Sequence, residues 1–71
     1  MVTVILPATN HKPAWIDIDL DGVHMGRVWG EVDSVDMKKC LRQFMVTVSL
    51  DGATQAFLWA DRVQSSDGGS S

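Results

Sequence analysis

The 71-residue chain has a single cysteine, Cys40, so no disulfide can form within it and the redox compartment is left open. It has no basic excess. Six Lys and Arg stand against nine Asp and Glu, a net charge of −3, which argues against the basic stripe of a nucleic-acid binder. No apolar run approaches the roughly 20 residues a membrane span needs. The apolar opening Met1–Leu6 lacks a basic leader and stops at Pro7, so the expected location is the cytoplasm. A histidine–cysteine grouping with zinc spacing is also missing. His11, His24 and Cys40 are far apart in the chain, whereas zinc ligands come in close pairs. No nucleophile–base pair is legible either, and the chain reads as a non-enzyme needing no cofactor or metal.

What is present is an ordinary globular composition, 45% hydrophobic and 21% charged, with three Trp and two Phe. The length allows one domain, which would bury only about 60% of its unfolded surface. Domains this small often gain stability from a partner or from self-association.

The strongest local signals are two Asp-Gly pairs, Asp21-Gly22 and Asp51-Gly52. An Asp-Gly pair supplies the positive φ angles that a type I′ hairpin turn requires. Val2 to Leu6 is β-branched and closed by Pro7, which predicts a strand. Trp15 to Leu20 alternates strictly, with Ile16, Ile18 and Leu20 on one side and Trp15, Asp17 and Asp19 on the other. Val23 to Val32 returns as its partner. A regular register pairs Ile18 with Met25 but then opposes Ile16 to Arg27. One extra residue near Gly26, a β-bulge, brings Val28 inside and turns Arg27 out.

Asp33 to Gln43 reads as a short helix. Asp33 is a suitable N-cap with Asp36 three residues later, and Met37, Cys40, Leu41 and Phe44 form an i, i+3, i+4, i+7 stripe. Cys40 would pack on that stripe as a small hydrophobe, with Lys38, Lys39 and Arg42 outside. Phe44 to Leu50 is a strand turned by Asp51-Gly52, and Ala53 to Val63 returns. Its register stays open. A tight turn buries Phe57 and Trp59 together with Gln55, whereas a bulged turn buries Ala56 and Leu58 and exposes both aromatics. Gln64 to Ser71, rich in Ser and Gly, reads as a disordered tail after a domain of residues 1–63. The expected fold is therefore α+β and mainly β. It is a five-stranded antiparallel sheet, or a small OB-like barrel, with one helix between the third and fourth strands.

Two groups of residues carry the functional expectation. Trp15, Arg27 and Trp29 fall on one face of the first hairpin, the composition of a binding hot spot, unless another element covers them as a second core layer. Asp17 and Asp19 share that face with side chains roughly 6.5–7 Å apart, a spacing that suits a solvated polar face better than a converging Ca²⁺ cage. His24 should lie across from Asp19. The expected function is binding of another protein or of a second copy. The alternative is single-stranded nucleic acid, held by stacking on the aromatics and by Lys38, Lys39 and Arg42.

The segment Asp17 to Phe44 is also locally similar to the start of a cyclophilin. Asp21-Gly22, Gly26-Arg27-Val28, Glu31-Val32, Lys39 and Phe44 carry the likeness, over under half of the chain. Cyclophilins place their prolyl-isomerase site around an Arg-Ile-Ile-Pro-Gly-Phe stretch that has no counterpart here, so the resemblance implies a shared hairpin and no activity.

Overall fold

The computed structural model describes residues 1–7 and 13–66. Six strands form one curled sheet: Val2–Leu6 (β1), Ala14–Leu20 (β2), Val23–Lys38 (β3), Gln43–Ser49 (β4), Gln55–Ala60 (β5) and Arg62–Ser65 (β6). The order across the sheet is β5-β4-β3-β2-β1-β6. The expectation of a mainly β, barrel-like domain holds in this form. The expected five antiparallel strands and one helix do not. The described residues contain no helix, there are six strands, and β6 pairs with β1 in parallel. His11 lies outside the described residues, as do residues 67–71 of the expected tail. Gln64 and Ser65 belong to β6, so the sheet runs two residues past the expected boundary.

Both Asp-Gly turns form. Asp21 and Gly22 each have positive φ, 52° and 84°, as a type I′ turn requires. At the second turn the Asp51 carboxylate accepts the Thr54 N–H at 3.0 Å, and the Leu50 N–H donates to the Thr54 carbonyl at 2.8 Å. Thr54, through its side chain first and then its N–H, holds the Asp51 carboxyl below the usual carboxylate range. The wider loop resolves the open register. Val46 pairs with Leu58 and Val48 with Ala56 on the inner face, so Phe57 and Trp59 point outward.

β3 is the spine of the molecule. Its first half, Val23 to Gly30, pairs with β2, and its second half, Glu31 to Lys38, pairs with β4. The segment expected to be helical continues this strand instead. Asp33, the expected N-cap, is an extra residue between Val32 and Ser34, and its carboxylate accepts from Ser49 Oγ at 2.5 Å and Gln55 Nε2 at 3.4 Å. Beyond Lys38 the chain makes one tight turn over residues 39–42, with Arg42 at φ 55°, and β4 begins. Cys40 and Leu41 sit exposed on that turn, so the apolar stripe does not pack as expected.

The core is small: Val4, Ile16, Val46, Val48 and Ala60, with Val2, Leu6, Val32, Leu50, Leu58 and Val63 packed against it. It fills the space between the two halves of the curled sheet, and Gly30 brings those halves close. A Cβ at Gly30 would lie 2.4 Å from Val48 Cγ1 and 2.9 Å from the Ser49 carbonyl oxygen. Only glycine fits there.

Asp61 closes the curl. It separates β5 from β6, its N–H donates to the Val2 carbonyl at 2.8 Å, and its carboxylate accepts the Val2 N–H at 2.8 Å. Gln43 adds a longer contact at 3.5 Å. These donors, the Val2 N–H first, hold the Asp61 carboxyl below its ordinary range. The strand that pairs with β4 thus passes to β1 without a loop.

Candidate functional site

The outer face of the β2–β3 hairpin is built in three rows by the cross-strand register: Trp15 opposite Trp29, Asp17 opposite Arg27, and Asp19 opposite His24. A bulge sets these rows. The extra residue is Met25, one position before the expected Gly26, and it lies between the pairs Ile18–Gly26 and Asp19–His24. Without it Arg27 would oppose Ile16. With it Arg27 joins the outer face and Val28 opposes Ile16.

The Trp15 and Trp29 rings meet edge to face, with centroids 5.1 Å apart and planes at 65°. This is the arrangement aromatic quadrupoles favour. The Arg27 guanidinium carbon lies 4.1 Å from the centre of the Trp15 ring, a cation–π contact. Trp15 is 45% exposed and Trp29 49%, so neither belongs to a second core layer. Asp17 Oδ1 accepts a hydrogen bond from His24 Nε2 at 3.1 Å, so His24 leans one row beyond Asp19, its register partner.

The inner side of the same hairpin differs from expectation toward its tip. Ile16 is fully buried and Ile18 and Val28 are half-buried, but Leu20, expected in the core, is exposed, as are Val23 and Met25. The hairpin extends past the small core, and among the described residues none buries its tip. Asp21 stands apart from Asp17 and Asp19. It lies at the tip beside the Met1 amino group, which raises that amine above its ordinary pKa.

Lys38, Lys39 and Arg42 remain together, but at the β3–β4 turn and not on a helix face. Lys38 ends β3 and is half-buried, while Lys39 and Arg42 are exposed. Among the described residues no group of three His, Cys, Asp or Glu side chains converges as a metal site.

A second aromatic group was left undecided by the sequence. Phe57 is 55% exposed and Trp59 42%, side by side on the outward face of β5, opposite Thr47 and Met45 of β4. The signal was the length of the loop. Leu50 to Thr54 is too long for a two-residue turn, and Asp51 capping Thr54 fixes the wider one. Gly30 gave a signal as well, a glycine inside a strand opposite the small Ala14.

Compared with known proteins, the chain matches no protein-family model, no curated protein and no solved structure.

Proposed function

We propose that this chain is a non-catalytic binding module whose contact surface for another protein is the outer face of the first hairpin. Trp15, Arg27 and Trp29 form its centre, and Asp17 and Asp19 form its polar rim. The observation that carries this reading is the fixed geometry of an exposed Trp–Trp–Arg group. Two rings brace each other at 5.1 Å and an arginine is stacked on one of them. Large side chains already held in place lose little conformational freedom on binding, which is why Trp and Arg dominate interface hot spots. On this reading the module works without cofactor, in the cytoplasm.

The test begins with a partner captured by the wild-type chain. Trp15→Ala with Trp29→Ala should weaken its binding by at least about 2 kcal/mol, roughly thirtyfold. Unchanged affinity with an intact fold would place the contact elsewhere.

Single-stranded nucleic acid is the second reading. It draws on outward aromatics on a curled sheet and on the Lys38, Lys39 and Arg42 cluster at one turn. Asp17 and Asp19 beside the Trp pair oppose it, and the OB-like element order has lost its helix. It requires tryptophan fluorescence to change on adding an oligonucleotide at low salt, with an effect that fades as salt rises.

A further inference from the structure

We infer that the free edge of β5 is a self-association edge, where two copies of this chain pair antiparallel into one continuous sheet. β5 is the last strand of the sheet on its side and, among the described residues, pairs with β4 alone, along Gln55 to Ala60. Sheet edges in soluble proteins are normally blunted by charge, proline, a bulge or short length. The opposite edge follows that rule, since β6 has four residues and begins with Arg62. β5 does not. Its six residues, Gln-Ala-Phe-Leu-Trp-Ala, carry no charge, no proline and no glycine, and two of them are exposed aromatics.

Charge selects a second copy as the occupant. In a chain of net charge −3, most outward surfaces carry carboxylates: Asp17 and Asp19 on β2, Glu31, Asp33 and Asp36 on β3. Two identical acidic molecules repel wherever those surfaces meet. Between Asp51 and Asp61 there is no ionisable side chain, so this is the edge on which they can meet without opposing like charges.

The register follows from geometry. Residues directly opposite in an antiparallel pair share a face. The two-fold axis must therefore pass beside one residue, and centring it on Leu58 sets Phe57 of each copy against Trp59 of the other. That adds two aromatic cross-strand pairs on the outer face, next to Met45. Leu58 meets its own copy on the inner side. Each copy offers one such edge, so the contact is isologous and closes at a dimer.

Sedimentation equilibrium over a concentration series tests this, with Phe57→Lys as the variant. Position 57 is exposed, so lysine there leaves the fold intact while setting a charge against Trp59 of the second copy. Wild type should shift from monomer to dimer mass as concentration rises. The variant should stay monomeric, and Trp15→Ala should dimerise like wild type. A mixed-isotope sample of the wild-type chain should show Phe57-to-Trp59 contacts between copies, which keeps the test valid if the variant fails to fold. A wild type that is monomeric throughout overturns the proposal. So does a dimer that survives Phe57→Lys, one that is lost in a folded Trp15→Ala, a mixed sample with contacts elsewhere only, or open-ended growth past two copies.

Discussion

Arg27 lies over the ring of Trp15, 4.1 Å from its centre, although the residue directly across the strand pair from Arg27 is Asp17. The guanidinium takes the diagonal aromatic neighbour, and Asp17 takes His24 on its other diagonal. An exposed Arg–carboxylate pair would be worth little in water. Stacking keeps the donor edges of the guanidinium free while its flat face covers the indole.

The first prediction measures that coupling. A double-mutant cycle on Arg27→Ala and Trp15→Ala, read by denaturant unfolding, should give an interaction of about 0.5–1 kcal/mol. Arg27→Lys should lose part of it, because an ammonium lacks the planar face. The corresponding cycle on Trp15 and Trp29 should give about 0.5–1.5 kcal/mol. Zero coupling in both cycles would mean that the three side chains are independent, and the fixed hot-spot geometry would be lost with it.

A second prediction separates two residues that alternate on the same side of β2. Ile16 is 0% exposed and Leu20 is 40% exposed. Ile16→Ala should cost about 2–5 kcal/mol, through lost burial and the cavity left behind. Leu20→Ala should cost well under half as much, because the hairpin tip already leaves it in water. Chemical denaturation of both variants checks this, and equal losses would mean that the tip is covered.

These contrasts show what was legible in the sequence. Period two places Ile16 and Trp15 on opposite faces, and a bulged register gathers Trp15, Arg27 and Trp29 on one of them, with the bulge one residue off. Periodicity says which side a residue takes, but not where a small core ends, so Leu20 was misplaced. The helix was misread for a related reason. The extra residue Asp33 interrupts the alternation of Val32, Val35 and Met37, and the interruption imitates a helical repeat. Met37 and Phe44, seven apart, then face each other across a hairpin and not along a helix. The second bend, at Asp61, left no pattern in the chain because its partner is Val2, 59 residues away.

The third prediction concerns acid. The Asp61 carboxyl is held below its ordinary range by the Val2 N–H first, and the Asp51 carboxyl by the Thr54 side chain first and then the Thr54 N–H. A carboxyl whose folded pKa is lowered stabilises fully above its unfolded value of about 3.9, and that stabilisation is lost as pH falls through the lowered folded value. Thermal melts should therefore be flat in this respect above about pH 5 and fall below about pH 4. Asp61→Asn should flatten part of the acid slope, since an amide can still accept from Val2 but does not titrate. Asp61→Ala should lower the melting point at neutral pH as well. A melting curve of Asp61→Asn that parallels wild type from pH 5 down to pH 2 would remove Asp61 from the account.

The fourth prediction sets two glycines of one strand against each other. Gly30 and Gly26 both lie in β3, and neither needs positive φ. Around Gly26 a methyl group would meet nothing within 4 Å. Around Gly30 it would meet Val48 Cγ1 at 2.4 Å and the Ser49 carbonyl oxygen at 2.9 Å. The side chain of Val48 can turn, but the backbone oxygen moves only if β4 moves with it. Val48 is fully buried in the small core, which cannot give without losing contacts elsewhere. Gly30→Ala should therefore cost about 1–3 kcal/mol or more, in the manner of an overpacked core. Gly26→Ala should change stability by less than about 0.5 kcal/mol, as an open surface substitution does. Denaturant midpoints of the two variants decide the matter. A Gly30→Ala as stable as wild type would show that β3 and β4 do not approach as closely as the curl of the sheet requires.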